Sequence, residues 1–145
     1  MYVHRTKYVY EILKRFGLED RLPYDTPLLT NHKLMTDKEK DPKVDPTLYR
    51  AMIGSLMYLT TLRPDIKFSV CLRDRYYSNL KESHMKAVKR IFRYLKGKPK
   101  LGLRYPAEGG LDLIAYADID FGGCPTNRKS TSGGVELLGN RLVSW

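Results

Sequence analysis

The chain has 145 residues and a formal net charge of +10, from 26 Lys and Arg against 16 Asp and Glu. Hydrophobic residues make up 42% of it, which is typical of a globular domain with a core and excludes a disordered chain. The sequence has neither an apolar run long enough for a transmembrane helix nor a secretory signal at its start. Two cysteines, Cys71 and Cys124, are too few for a disulfide framework. We therefore expect an intracellular protein that has no membrane partner.

The positive charge is concentrated in one segment. Residues 81–104 hold nine basic residues and one acidic residue, a surplus of +8 in 24 residues. The first 72 residues, in contrast, hold 12 basic and 9 acidic residues. A surplus this local predicts a polyanionic partner for that segment.

Four helices are predicted in the first two thirds of the chain. Apolar residues at helical spacing predict the first over Thr6–Phe16, and a solvated linker follows over Thr30–Pro46. Asp45 as N-cap and Pro46 at the first helical position begin the second helix, in which Gly54 and Ser55 would let another helix approach closely. The third helix is expected from Pro64 to about Ser78.

The fourth helix, expected over Ser83–Lys96 with Ser83 as N-cap, carries the charge surplus. Its inward stripe is Met85, Val88, Phe92 and Leu95. The opposite face holds the basic row, which we define as Lys86, Lys89, Arg90, Arg93 and Lys96. Such a row presents cations along about 15 Å and predicts sequence-independent, salt-sensitive binding of nucleic acid. A merely solvated charged face is the alternative that the sequence leaves open.

After Pro99 the apolar period changes from helical spacing to alternation, which predicts strands. The expected strands cover residues 101–105 and 111–117, and a hairpin joins 135–138 to 142–145 through Gly139-Asn140. Between them, residues 128–134 indicate a basic, hydroxyl-rich loop. Helices first and strands second predict an α+β fold whose sheet has no covering helix.

Two carboxylates stand at the end of the second predicted strand, in the run Tyr116–Gly123. Asp118 and Asp120 are two residues apart, so their side chains share one strand face and could hold Mg²⁺ through oxygen ligands. A polar strand end followed by a turn is the simpler interpretation. Two-metal phosphodiester chemistry requires further carboxylates, and Glu136 is the only acid after Asp120, so this site is incomplete.

Several blocks of the sequence, taken together, resemble a known family. They are Leu48–Thr60 with Arg63–Ile66, Lys81–Gly97, and Lys129–Gly133 with Leu142–Trp145. In this order they are similar to the Pol polyprotein of copia-type LTR retrotransposons, above all to that of plant elements. The opening, from Lys7 to Asp20, resembles the stretch just past that family's polymerase palm.

The resemblance implies a place within a larger enzyme. Residues 1–100 would be the helical, thumb- and connection-like C-terminal part of a reverse transcriptase. Residues 101–145 would be the truncated first strands of a ribonuclease H-like domain. Asp118 matches that family's first catalytic Mg²⁺ ligand, and Asp120 matches the second Asp of the motif. The implied partners are an RNA–DNA hybrid and the rest of the Pol polyprotein.

The acids that the family's chemistry requires are missing from this sequence. The paired aspartates of the polymerase motif Tyr-x-Asp-Asp do not occur in it, and neither do the later ribonuclease H acids. We therefore expect a fragment that holds RNA–DNA duplex through the basic row, has no polymerase or nuclease activity by itself and does not bind Mg²⁺ tightly. The alternatives are an autonomous basic nucleic-acid-binding module without catalysis and an enzyme completed by a separately encoded partner.

Overall fold

The computed structural model describes residues 1–29, 44–74, 80–120 and 130–145. The elements in chain order are β1 (Tyr2–Val3), α1 (Thr6–Arg15), α2 (Pro46–Leu59), α3 (Pro64–Asp74), α4 (Glu82–Gly97), β2 (Leu103–Arg104), β3 (Leu113–Asp120), β4 (Thr131–Leu138) and β5 (Arg141–Ser144). This mixed content confirms the α+β prediction. Most of the predicted linker lies outside the described residues.

The chain forms two compact units. The helical unit comprises His4–Leu101, and the strand unit comprises Met1–Val3 with Gly102–Trp145. None of the helices in the described ranges is both long and apolar enough to cross a membrane.

The helical unit has one apolar core, to which all four helices contribute. Its residues with no measurable exposure are Tyr49, Leu56, Leu59, Ile66, Val70, Val88, Ile91, Phe92 and Leu95. The four residues of the predicted inward stripe of α4 are all buried. Helical spacing of apolar residues therefore identified the core-facing side of α4 correctly.

The helix ends agree with the sequence in one case and differ in another. The carboxylate of Asp45 accepts the backbone N–H of Thr47 at 2.8 Å, which confirms the predicted N-cap of α2. The prediction of Ser83 as N-cap of α4 was wrong, because α4 begins one residue earlier and its N-cap is Lys81. There, Nδ1 of His84 accepts the backbone N–H of Lys81 at 3.1 Å, so an imidazole takes the place that Glu or Gln usually has at the third position of a capping box.

Gly54 does not have the role that the sequence suggested. A Cβ built on Gly54 meets nothing within 4 Å outside its own helix and neighbours, and the residue is exposed. The expectation of a close helix approach is therefore wrong for Gly54. It is met at the next residue, because Ser55 is buried and its carbonyl accepts the hydroxyl of Tyr8 from α1 at 3.2 Å.

A buried ion pair fixes the start of α3. Nε and Nη2 of Arg63 donate to the two carboxylate oxygens of Asp65 at 2.9 and 2.8 Å. Nη1 donates to the carbonyl of Lys98 at 3.0 Å, just after the end of α4. The hydroxyl of Tyr94 donates to Asp65 at 2.9 Å. Because Arg63 is only 2% exposed, this cluster connects α3 to α4 with little access to water.

The strand unit holds two antiparallel sheets, β1-β2 and β3-β4-β5. Gly139 stands in the turn of the β4-β5 hairpin with φ +57°, which confirms the predicted turn. A Cβ at this position would lie 2.4 Å from the carbonyl oxygen of Gly110, so only glycine fits. β4 begins at Thr131, so residues 131–134 are strand, and the prediction of a loop there was wrong.

Candidate nucleic-acid interface

Helix α4 carries the whole basic row, but its cations have two different environments. Lys86 and Lys89 are exposed, whereas Arg90, Arg93 and Lys96 are only half-exposed. Nζ of Lys86 lies 3.1 Å from a carboxylate oxygen of Glu82 one turn earlier, and its side chain remains 71% exposed. An exposed ion pair of this kind is weak, so Lys86 can exchange Glu82 for another anion.

The two arginines of the basic row contact a segment that follows α1. We call residues 21–26 the strap. The guanidinium groups of Arg90 and Arg93 lie 4.2 and 3.8 Å from the ring centroid of Tyr24. Arg90 also donates to the carbonyl and the hydroxyl of Thr26, at 3.1 and 2.9 Å. Nη1 of Arg93 donates to the hydroxyl of Tyr24 at 3.0 Å. Both arginines therefore hold the strap against α4.

The end of α4 holds the beginning of the strap. Nζ of Lys96 donates to the carbonyl of Arg21 at 2.7 Å. A Cβ on Gly97 would come within 3.2 Å of the Cβ of Pro23, which shows how closely the strap approaches the helix there. Three of the five predicted nucleic-acid-binding residues thus bind the protein's own backbone or aromatic ring.

The strap was not predicted, although its sequence contains one signal. Tyr24 is an aromatic residue in a proline-flanked, otherwise polar stretch, and such a residue requires an apolar or cationic surface to cover its ring. Which helix supplies that surface depends on the packing of α1 against α4, which local sequence does not specify.

The carboxylates at the end of β3 do not form a complete metal site in the described residues. Oδ1 of Asp118 accepts the N–H of Ile119 at 2.9 Å. Asp120 pairs with Thr131 in the register, and its side chain lies outside the described set. Glu136 pairs with Ala115, three residues before Asp118, so its side chain lies on the opposite face of the sheet from Asp118. Asp118 and Glu136 therefore cannot bind the same Mg²⁺ ion.

Other possible metal or redox groups give no further site within the described ranges. No group of three or more His, Cys, Asp or Glu side chains comes together there. Cys71 is a free thiol. Cys124 lies outside the described residues.

Comparison with known proteins identifies the family. The Pol polyprotein from transposon RE1 of Arabidopsis thaliana is 34% identical over 145 residues, which are all of this chain and 10% of that protein. The Pol polyprotein from transposon TNT 1-94 of Nicotiana tabacum is 33% identical over 153 residues, again covering the whole chain and 11% of that protein. The chain belongs to the Pol polyprotein family of copia-type retrotransposons. The prediction of this family is confirmed.

This Pol segment spans about one tenth of the length of the polyproteins it matches. A shorter relative, an uncharacterised mitochondrial protein of Arabidopsis thaliana, is 33% identical over 145 residues, which make up 60% of that protein. No protein-family model and no solved structure matches the chain.

Proposed function

We propose that this Pol segment holds an RNA–DNA duplex by electrostatic contact and performs no polymerase or nuclease chemistry by itself. The observation that carries the proposal is the pair Lys86 and Lys89, exposed and three residues apart on α4. They lie within residues 81–104, which contain nine basic residues and only one acidic residue. Phosphate contacts of this kind position a duplex without reading its bases.

The residues of the basic row have two different roles in this proposal. Lys86 and Lys89 contact phosphates directly. Arg90, Arg93 and Lys96 hold the strap and add positive potential, and each already donates at least one hydrogen bond to it. Replacing Arg90 or Arg93 therefore disturbs the fold as well as the charge, so the two lysines give the cleaner test.

The proposed lack of catalysis rests on the number and position of the acids. Only Asp120 and Glu136 follow Asp118 in the sequence, and Glu136 is on the other sheet face. Two metal ions that bind the attacking and leaving oxygens require several carboxylates at one point. In this proposal Asp118 is a remnant of the first ribonuclease H carboxylate, with no step assigned to it here.

The test is the salt dependence of binding to a labelled RNA–DNA hybrid by the full chain. Lys86→Gln and Lys89→Gln should each lower the slope of log affinity against log salt by about 1. Lys14→Gln is the matched control, since Lys14 is exposed on α1, and it should leave the slope unchanged. Equal slopes in all three variants would refute the proposed contact. Cleavage of the hybrid in Mg²⁺ that is abolished by Asp118→Asn would refute the proposed inactivity.

A second candidate is an autonomous basic module that binds nucleic acid without catalysis. The short mitochondrial relative favours it, because a protein of which this segment makes up 60% shows that such segments occur outside long polyproteins. Transcripts that continue past Trp145 into a longer reading frame would support the polyprotein fragment. A stop codon at that point together with stable protein would support the module.

A further inference from the structure

A groove on the helical unit combines aromatic and charged side chains at a distance from the basic row in sequence. It lies where the start of α1 meets the end of α2. The groove has a volume of about 580 Å³ and is lined by Arg5, Lys7, Tyr8, Glu11 and Tyr58. We call it the tyrosine groove. This volume lies in the range of sites that bind small molecules or single nucleotides.

Two aromatic rings line the tyrosine groove. The rings of Tyr8 and Tyr58 meet edge to face, with centroids 4.9 Å apart and an interplanar angle of 69°. The hydroxyl of Tyr8 donates to the carbonyl of Ser55 on α2 at 3.2 Å, which fixes this ring. Tyr58 is 47% exposed, so much of an aromatic side chain faces solvent. Packing in the hydrophobic core therefore does not explain why an aromatic residue occupies position 58.

Arg5 adds a flat cation to this aromatic surface. Its guanidinium carbon lies 4.2 Å from the ring centroid of Tyr58. Among the described residues its guanidinium donates one hydrogen bond, from Nη1 to the hydroxyl of Tyr58, so donor capacity remains for a ligand. Bases of single strands stack on tyrosine rings and on guanidinium planes, whereas the bases of a duplex are stacked on one another and cannot do so.

The groove also has charges of both signs at its rim. The side chain of Lys7 is 93% exposed, and its ammonium lies 3.9 Å from the carboxylate of Glu11. A cation beside an aromatic surface suits a backbone phosphate, and a carboxylate accepts hydrogen bonds from base amino groups or sugar hydroxyls. The ring and the cation therefore suit the base and the phosphate of a nucleotide, and the carboxylate can accept a hydrogen bond from a base amino group.

We propose that the tyrosine groove binds one nucleotide unit of single-stranded nucleic acid, with the base stacked on the Arg5–Tyr58 pair and the phosphate beside Lys7. The inference extends the proposed function by adding single strands to the duplex. It depends on the proposed function only in placing nucleic acid on the helical unit, since none of the groove residues belongs to the basic row. The two can therefore fail separately.

The first test measures binding of a fluorescein-labelled single-stranded oligodeoxyadenylate to the full chain. Tyr58→Ala should weaken binding by about 5- to 150-fold, which is the range that stacking of one base supplies. Tyr58→Phe keeps the ring and should bind within about twofold of the unmodified chain, because stacking needs no hydroxyl. Tyr10→Ala is the matched control, since Tyr10 is an exposed tyrosine of α1 that does not line the groove.

A second pair of variants does not depend on the stability of Tyr58→Ala. Lys7→Glu and Lys14→Glu change the net charge equally at exposed positions of α1, and only Lys7 lines the groove. Lys7→Glu should weaken single-strand binding more than Lys14→Glu does. AMP should displace the oligonucleotide better than inorganic phosphate does at the same ionic strength.

The outcomes separate this proposal from the duplex proposal. The proposed nucleotide site is refuted if folded Tyr58→Ala and Tyr10→Ala bind the single strand with equal affinity. It is also refuted if AMP and inorganic phosphate displace the oligonucleotide equally well. Parallel titrations measure the binding of RNA–DNA hybrid by Lys86→Gln and Lys89→Gln. A loss of hybrid binding in Lys89→Gln with no effect of Tyr58→Ala on single strands would leave the duplex proposal standing and refute the groove alone.

Discussion

The ion pair between Arg63 and Asp65 gives a sharp prediction about stability. Asp65→Asn keeps the shape of the side chain but removes the charge that faces a 2%-exposed guanidinium. Removal of one partner from a buried pair typically costs about 3–5 kcal/mol, because the remaining charge is left without compensation. The Asp65 side chain is 22% exposed, so water relieves part of this cost, and we expect about 3 kcal/mol.

Further variants distinguish the energy of the Arg63–Asp65 interaction from the effects of changing each side chain alone. Arg63→Met leaves a carboxylate that water can reach, so we expect a smaller loss of about 1–2 kcal/mol. The double variant should cost less than the sum of the two single variants, by about 2 kcal/mol, because each single variant leaves one charge without its partner. Asp20→Asn, at an exposed position of the helical unit, is the control and should change stability by less than about 0.5 kcal/mol.

Urea unfolding followed by far-UV circular dichroism measures these differences, because the signal comes mainly from the helical unit. Fluorescence of Trp145, the chain's one tryptophan, follows the strand unit in the same experiment. The reasoning fails if Asp65→Asn unfolds within about 0.5 kcal/mol of the unmodified chain, or if the single-variant costs simply add.

Three further predictions follow from single residues. Gly54→Ala should raise the free energy of unfolding by about 0.5–1 kcal/mol, because a Cβ there meets open space, and an unchanged urea midpoint would contradict this. Burial and, next, the hydrogen bond to Asp65 raise the pKa of Tyr94 above its ordinary 10.0. Its contribution to stability is therefore complete below pH 10 and declines as the pH rises through the folded-state value, so Tyr94→Phe should flatten the loss of stability above pH 10 in urea titrations. An equally steep loss in Tyr94→Phe would refute that assignment. Tyr24→Ala removes the ring that Arg90 and Arg93 cover, so trypsin should cut after Arg21 faster than in the Tyr10→Ala control; equal rates would show that the ring does not hold the strap.

Local patterns were sufficient for the elements with strong periodicity. The cap at Asp45, the buried stripe of α4 and the turn at Gly139 each depend on residues within a few positions of one another. The two-residue strand β1 was missed because its partner β2 lies about 100 residues away, and a segment this short has no period of its own. The early start of α4 was missed because Lys81 and His84 are not usual residues at the N-cap and the third helical position, where Ser or Thr and Glu or Gln are typical.

The contacts of the basic row could be predicted only in part from local sequence patterns. The spacing of its residues correctly placed five cations on α4, away from the apolar stripe. The spacing could not show that Arg90, Arg93 and Lys96 donate to the strap, because these hydrogen bonds join residues 64 to 75 positions apart. The tyrosine groove was missed for the same reason, since Tyr8 and Tyr58 come from different helices.

The order of amino acids by itself determined the Pol family, the location of the charge surplus, the α+β content and the side of α4 that enters the core, since all of these depend on composition, motif order or short-range period. Only the tertiary structure decided which cations remain exposed, that Glu136 lies on the other sheet face from Asp118, and where aromatic rings from two helices meet. Those properties depend on contacts between distant segments, and the free energy that selects such contacts comes from burying a common core rather than from any local preference.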